Sequence, residues 1–238
     1  MTPATAAPPT SSGRRLPVLV LAAACAVLAG GVLSACSIVG DAEPADPDLS
    51  SRSVAASDFP GGPASPIPPQ AVGNALADVT GGPAPGQKEN TEVSPPECAP
   101  APVSADGAVA FLGPGTAERS TLTTVVAHVD TPLTDVVKRA EKCPELTTTT
   151  FGASSTVTTE VLPAPPARDG VDTATIRRTI VTGGGTAPVT TSSLALIGER
   201  DGVRVYAEYR WPAAGPVPVE DSAALDELFA KAVSAAFG

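Results

Sequence analysis

The clearest alternation of apolar and polar residues lies near the C-terminal end of the chain. Between Val203 and Trp211 every second residue is apolar or aromatic, while the intervening positions are Arg, Tyr, Glu and Arg. A period of two predicts a strand with one buried face and one mostly solvated face. Asp201-Gly202 directly precedes this segment and is typical of a two-residue hairpin turn, so we expect residues 189–199 to pair with it.

Three other segments repeat their apolar residues at helical spacing. Residues 70–79 lie between two prolines and a pair of glycines, which is the usual punctuation of a short helix. A second helix is predicted after Thr131, which can cap it, with Pro132 in its first turn and Pro144 ending it. A third helix runs from about Ser222 to the C-terminus.

The segments between these helices are rich in Thr, Val and Ile, and they predict strands. They are residues 121–129, 145–162 with a break at Gly152, 172–182 and 189–199. Strands and helices do not alternate in the way that builds a parallel sheet. The sequence therefore predicts an α+β fold, in which a mainly antiparallel sheet with a C-terminal meander is packed by two or three helices.

The first 35 residues have the organisation of a secretory signal peptide. They contain no acidic residue, and Arg14 and Arg15 precede an apolar stretch from Leu16 to Leu33. Leu33-Ser34-Ala35-Cys36 resembles the lipobox of bacterial lipoproteins, with Leu at −3, small residues at −2 and −1, and Cys at +1. In such proteins the Cys thiol receives a diacylglyceryl group, and the signal peptidase then cuts before it.

This resemblance implies that residues 1–35 are removed and that Cys36 anchors the mature chain in the cell membrane. Because two acyl chains hold a protein on a bilayer where a single chain does not, we expect a protein anchored by fatty acids such as palmitate on the extracytoplasmic face. The alternatives are an uncleaved N-terminal anchor with Cys36 as an ordinary thiol, and Cys25 as a rival acceptor that lacks Leu at −3. Twin-arginine export is less favoured, because Pro17 and Val18 stand where that motif has bulky apolar residues.

Composition divides the mature chain at about Ser57. Residues 36–56 alternate acidic residues with prolines and contain few large apolar side chains, so they predict a flexible stalk before an extracytoplasmic domain at residues 57–238. The chain has 15 basic and 25 acidic residues, a net charge of −10. This balance, without any basic run, excludes nucleic acid as a partner, because its phosphates must be neutralised by Lys and Arg.

The four cysteines fall into two kinds. Cys25 would leave with the signal and Cys36 would be lipidated, which leaves Cys98 and Cys143 as one pair in an exported domain. Export to an oxidising compartment predicts a disulfide between them, and that bond completes the predicted fold. A redox pair would have the close spacing of a C-x-x-C motif, and two Cys with one distant His make no recognisable set of metal ligands.

Residues suited to catalysis are scarce. The single histidine, His128, ends the predicted strand 121–129, where a histidine is typically a surface or hydrogen-bonded residue. The sequence has no G-x-S-x-G motif and no glycine motif for phosphate, and no local pattern indicates that Glu208 and Asp172 pair in space. Trp211 is interpreted as a core anchor, with ligand stacking as the alternative. We expect no catalytic residues, no metal and no cofactor.

Several short landmarks resemble those of a known group of proteins. They are the lipobox, Ser57-Asp58-Phe59-Pro60, Val93-Ser94-Pro95-Pro96-Glu97-Cys98, the second Cys after the Val-rich strand and helix, and Leu228-Phe229-Ala230-Lys231-Ala232-Val233. Over residues 57–238 the chain resembles a family of uncharacterised lipoproteins of mycobacteria and related actinobacteria. That family is distantly similar to the extracellular sensor domain of an actinobacterial receptor Ser/Thr kinase, which has two disulfides where this chain can form one. The resemblance implies an envelope setting and supplies no catalytic residues.

These observations favour a lipid-anchored, extracytoplasmic binding or sensor-like domain, which is non-enzymatic and whose envelope ligand is unknown. The alternative is a structural or adaptor lipoprotein that docks an envelope protein, and a hydrolase is the least favoured class. An enclosed apolar pocket would favour the binding domain, and a flat exposed apolar patch would favour the adaptor lipoprotein. A cluster of side chains around His128 that includes a carboxylate with a shifted pKa would favour the hydrolase.

Overall fold

An antiparallel sheet organises the structure, a computed structural model that describes residues 48–166, 170–183 and 187–238. Nine strands lie in these residues: β1 (Ser65–Pro66), β2 (Thr91–Ser94), β3 (Val109–Pro114), β4 (Thr121–His128), β5 (Glu145–Thr150), β6 (Ala153–Leu162), β7 (Asp172–Thr182), β8 (Val189–Arg200) and β9 (Val203–Trp211). Their order in the sheet is β1-β3-β4-β9-β8-β7-β6-β5-β2. The predicted signal peptide, Cys25 and Cys36 lie outside the described residues.

Three α-helices cover the two faces of the sheet: α1 (Pro69–Thr80), α2 (Leu133–Lys142) and α3 (Val219–Phe237). The apolar stripe of α3 packs on one face, against the apolar positions of β9 and the middle of β8. Helices α1 and α2 pack on the opposite face, over residues of β4, β7, β8 and β9. The predicted α+β class, antiparallel sheet and C-terminal meander are therefore confirmed.

The turn between β8 and β9 has the predicted form. Asp201 and Gly202 have φ angles of 53° and 73°. Positive φ at both central residues is the requirement of a type I′ turn, whose twist matches that of the paired strands. The strands run in register from Arg200↔Val203 to Ser192↔Trp211, so residues 189–199 pair with β9 as predicted.

One expectation about β9 was wrong. Its second face was predicted to be mostly solvated, but Arg204, Tyr206 and Glu208 are only 2%, 2% and 1% exposed. Alternation shows that a strand has two chemically different faces, and it does not show that the polar face meets water. Here α1 and α2 cover that face, and its charged side chains have partners within the fold.

The start of α2 also differs from the prediction. The helix begins at Leu133, Pro132 takes the N-cap position, and Thr131 makes no side-chain cap. Instead the backbone N–H of Leu133 donates to Oε1 of Glu199, at 3.2 Å. A carboxylate from β8 therefore takes the place of a local cap at a helix end that attracts negative charge.

The packed part of the chain begins before Ser57. Leu49 and Val54, in the segment predicted as stalk, are 1% and 5% exposed and belong to the same apolar cluster as α3. The N–H of Leu49 donates to the carbonyl of Gly107 at 3.2 Å. Two apolar side chains are enough to dock this short segment, so residues 49–54 pack on the domain instead of forming part of a stalk. Residues 36–47 lie outside the described residues.

The predicted disulfide between Cys98 and Cys143 is present, with a Cα–Cα distance of 5.7 Å and a sequence separation of 45 residues. It joins the 3₁₀ turn Pro96–Cys98 to the residue that follows α2. Both cysteines are buried. Among the described residues, no helix combines the length and the hydropathy that a membrane span requires.

We expect the variant Cys98→Ser/Cys143→Ser to lose about 2–5 kcal/mol of unfolding free energy, because the bond constrains the unfolded chain. A thermal melt followed by circular dichroism should show a marked fall in Tm. Wild-type protein melted in reductant is the matched control, and its Tm should fall to that of the double variant. Equal Tm values for oxidised wild type and double variant would contradict this prediction.

Candidate functional site

A buried ion pair holds α2 to the β8–β9 hairpin. Arg204, on β9, is the cross-strand partner of Glu199 on β8, and its Nε donates to Glu199 Oε2 at 2.7 Å. Its Nη1 donates to the hydroxyl of Tyr206 at 3.2 Å, and its Nη2 donates to the carbonyl of Thr131. Because Glu199 also caps α2 through Leu133, this pair determines where α2 starts. Arg204 is therefore fully engaged in holding the fold together.

A second charged group, Glu208 and Arg210, lies four to six residues further along β9. Oε1 of Glu208 accepts hydrogen bonds from Nε and Nη2 of Arg210, at 3.2 and 2.9 Å. Arg210 also reaches Asp78 of α1, with 3.4 Å between Nη1 and Oδ1. The other oxygen of Glu208 is buried and accepts no hydrogen bond from the described residues. Burial raises the pKa of Glu208, and the nearby Arg210 and Arg178 act in the opposite direction.

Arg178 on β7 differs from these two arginines. It is 9% exposed, and its Nη1 donates to the carbonyl of Val79, in the last turn of α1, at 2.9 Å. It forms no ion pair with any carboxylate of the described residues. Burial lowers the pKa of Arg178, and the charge of Glu208 opposes that effect. An arginine nevertheless stays protonated in a protein, so a buried cation lies at this point of the sheet.

The residue after α1 makes room for this side chain. Gly81 has a φ of 76°, a left-handed conformation that favours glycine at the end of a helix. A Cβ atom at this position would lie 3.2 Å from Nε of Arg178. Glycine therefore both ends α1 and lets the guanidinium approach it.

A cavity of about 70 Å³ lies between α2, the end of α1, the segment 98–103 and the sheet. Its floor contains Arg178, Arg204 and Tyr206, and its wall includes both cysteines of the disulfide. Apolar side chains of α2 and of strands β6 to β8 complete most of the lining. No Asp or Glu is among the lining residues, although the chain has 25 of them.

A second hollow, of about 220 Å³, lies on the other side of Arg178. It shares Gly81, Val157 and Arg178 with the first cavity, and it extends over β2, β5 and β6. Arg210 and Asp78 lie on its border. The guanidinium of Arg178 thus lies where two hollows meet on one face of the sheet.

Cys98, Cys143 and Glu208 lie on this charged face of the sheet. The other candidate residues from the sequence lie outside it. His128 borders a separate polar hollow with Arg200 and Asp201, at the end of the sheet where β8 turns into β9. Asp172 is exposed at the start of β7 and does not pair with Glu208. Trp211 is 7% exposed and stacks on Tyr209 with ring centroids 5.6 Å apart, as expected of a core anchor. The described residues contain no group of three or more potential metal ligands among His, Cys, Asp and Glu.

The sequence alone did not lead to Arg178, although its position on a predicted strand was unusual. Along β7, Ala174, Ile176 and Ile180 lie on one face of the strand, and Arg178 falls in the same phase. An arginine on the apolar face of a strand indicates either an irregularity of the strand or a buried charge that has a structural or binding role. Its partner in the fold, the carbonyl of Val79, is 99 residues away.

No protein-family model and no curated protein matches the sequence. The solved structures that match include the following two. An uncharacterized protein from Mycobacterium smegmatis, the Rv0999 ortholog, is 18% identical with a TM-score of 0.40, over 73% of this chain and 85% of its own. The extracellular domain of PknH from Mycobacterium tuberculosis is 12% identical with a TM-score of 0.39, over 71% of this chain and 98% of its own.

The second of these structures is an extracellular domain. At these TM-scores and identities, the likeness assigns no function to this chain. Membership of a lipoprotein family stays a prediction.

The raised pKa of Glu208 predicts how stability depends on pH. The ordinary pKa of a glutamic acid side chain is 4.5, and the pKa of Glu208 in the folded state is higher. Such a group contributes its full stabilisation at pH values below 4.5, and this contribution is lost as the pH rises through the folded-state pKa. Glu208→Gln keeps an acceptor for Arg210 and cannot ionise. We therefore expect its Tm, measured relative to wild type, to rise as the pH increases above about 4.5.

Glu208→Met is the control for that experiment, because it removes the acceptor as well as the charge. It should lower the Tm at every pH, since it leaves Arg210 without its buried partner. A Tm difference between Glu208→Gln and wild type that stays constant or shrinks as pH rises would count against the raised pKa.

Proposed function

We propose that this chain is a lipid-anchored, extracytoplasmic binding domain, sensor-like and non-enzymatic, that holds a small ligand in the cavity beside the disulfide. The observation that carries this proposal is the cavity itself: mostly apolar walls around a few buried polar groups. This combination is typical of ligand sites, where apolar surface contributes affinity and a few polar groups determine orientation. The cavity is the kind of feature that distinguishes a binding domain from a docking scaffold.

The disulfide supports a preformed site. Cys98 and Cys143 line the cavity and tie the segment after Cys98 to the end of α2. A wall that is fixed before the ligand arrives costs less conformational entropy on binding. The bond therefore serves the site as well as the stability of the domain.

The other two classes of function have less support. The exposed large apolar side chains of the described residues are Leu112, Phe151, Val189 and Val219, and they lie on different elements rather than on one broad patch. For a hydrolase, the cavity offers guanidinium, phenol and hydroxyl groups but no carboxylate or imidazole among its lining residues. Such a set can bind and orient a ligand, and it lacks a general base.

The anchor belongs to the proposal because Cys36 lies outside the described residues. Between Cys36 and Asp48, where the described chain begins, there are twelve residue steps. A chain of that length reaches at most about 40 Å when fully extended. The binding domain would thus stay close to the membrane surface and to ligands released there.

We expect Cys36 to be the lipidated N-terminus of the mature protein. Mass spectrometry of the membrane fraction should find a diacylated peptide that begins at Cys36. Cys36→Ala should release the protein from membranes or leave its signal uncut, whereas Cys25→Ala should change neither result. An unmodified Cys36 within an intact precursor, in cells that process lipoproteins, would contradict the anchor.

The binding site has its own test. Ala101 lines the cavity, and Ala105, in the same connecting segment, is exposed and lies outside the lining. We expect native mass spectrometry of protein purified from its own envelope to show a retained small molecule. Ala101→Phe should reduce its occupancy because the ring fills the cavity, and Ala105→Phe should not. Wild-type protein without any retained molecule, or equal occupancy in both variants, would contradict the proposal.

A further inference from the structure

The cavity has a charge opposite to that of the protein. The chain has a net charge of −10, yet three of its cations, Arg139, Arg178 and Arg204, line this cavity together with no carboxylate. A random sample of side chains from so acidic a chain would bring more carboxylates than guanidinium groups. The lining therefore concentrates positive charge, and two of the three arginines, Arg178 and Arg204, are buried.

Arg204 and Arg139 differ in how the charges of their side chains are compensated. Arg204 is held by Glu199, Tyr206 and the carbonyl of Thr131, so its charge is neutralised within the fold. Arg139 is half-buried on α2, and its side chain makes no hydrogen bond or ion pair with the described residues. It is free to turn towards a ligand at the wall of the cavity.

Of the two buried arginines in the lining, Arg178 has fewer hydrogen-bond partners than Arg204. Of its five N–H groups, one donates to the carbonyl of Val79, and the others have no hydrogen-bond partner among the described residues. The C-terminal end of α1 offers roughly half of a negative charge, and Glu208, the nearest buried carboxylate on the sheet, is bound by Arg210. A buried charge without a full partner is costly. The buried side chain of Arg178 thus lines a cavity that has no carboxylate among its lining residues.

Two further groups can donate hydrogen bonds into the same cavity. The hydroxyl of Tyr206 accepts from Arg204, so its own hydrogen is free to donate, and burial raises the pKa of Tyr206 and keeps it protonated. Thr159 is the cross-strand neighbour of Arg178 and also lines the cavity. The cavity is therefore lined by side-chain donors from Arg178, Tyr206 and Thr159, with no carboxylate among its lining residues.

We infer that the ligand of this cavity carries an oxyanion, a phosphate or carboxylate group, which forms an ion pair with Arg178. Arg139, Tyr206 and Thr159 supply further donors to it. This inference rests on the proposed binding function and names the chemical class of its ligand. Planar guanidinium groups match the oxygens of phosphate and carboxylate in two parallel hydrogen bonds.

The size of the cavity limits what enters it. Its volume of about 70 Å³ holds a head group and is well below the several hundred Å³ of sites for larger ligands. Any remaining part of the ligand would extend along the apolar walls or into the second hollow, which also borders Arg178. The oxyanion can thus belong to a free anion or to the head group of a lipid, and the chemistry at Arg178 is the same.

The experiment is isothermal titration calorimetry on the protein purified from membranes and washed free of ligand. The probes are inorganic phosphate, dihexanoyl phosphatidic acid and trimethyl phosphate, a neutral molecule of similar shape. We expect the anionic probes to bind and trimethyl phosphate not to bind. Tighter binding of phosphatidic acid than of phosphate would identify a lipid head group as the source, and the reverse would identify a free anion.

The variants locate the binding site. Arg178→Gln keeps a donor for Val79 and loses the charge, and we expect it to weaken binding of the anionic probe by about tenfold or more. Arg177→Gln is the matched control: this neighbour points to the opposite face of β7 and pairs with Glu160 at 2.6 Å. It should leave the affinity unchanged. If Arg178→Gln does not fold, Arg139→Gln takes its place, with a smaller loss of affinity expected.

Equal affinity of wild type and Arg178→Gln for the anionic probes, or binding of trimethyl phosphate as tight as that of phosphate, would overturn the inference. If native mass spectrometry then still shows a neutral molecule whose occupancy falls in Ala101→Phe, the proposed binding function stands and only the oxyanion is wrong. If no probe binds and no molecule is retained, both fail.

Discussion

Buried charge on the α1 and α2 face of the sheet is the constraint on which the rest of the structure depends. Arg204 is almost completely removed from water, and it is tolerated there because Glu199, Tyr206 and the carbonyl of Thr131 meet its donors. Breaking such a pair leaves an uncompensated charge, which costs far more than an exposed ion pair. The same Glu199 caps α2, so the position of that helix follows from the need to neutralise Arg204.

Helix α2 illustrates how the fold depends on these links. It has ten residues, and only Leu133 among them is buried, so neither its length nor its packing would hold it in place alone. Glu199 holds its first turn, and the disulfide at Cys143 holds the residue after its last turn. The cavity lies between these two attachments. Stability and the proposed ligand binding therefore depend on the same pair of links.

The candidate site was only partly predictable. The cysteines were paired correctly because an exported chain with two remaining thiols leaves little choice. Arg178 was missed, although its phase with Ile176 and Ile180 marked it as unusual. Its neighbours in space are the end of α1 and the second hollow, and neither can be located before the sheet order is known. The short strands β1 and β2 were missed for a related reason: they are brief and pair with strands about 45 to 60 residues away. Strand β3, which forms a hairpin with β4, was also missed.

The sequence by itself determined the elements whose signals are local. Asp201-Gly202 set the register of the last hairpin, three apolar stripes specified three helices, and the runs of Thr, Val and Ile specified the long strands. Only the tertiary structure decided that the polar face of β9 is covered and that Arg178 borders a cavity. The physical reason is distance along the chain. The hydrogen bonds that join α2 and α1 to this face connect residues 66, 73 and 99 positions apart. A strand that alternates polar and apolar residues has the same pattern whether water or a helix lies above its polar side.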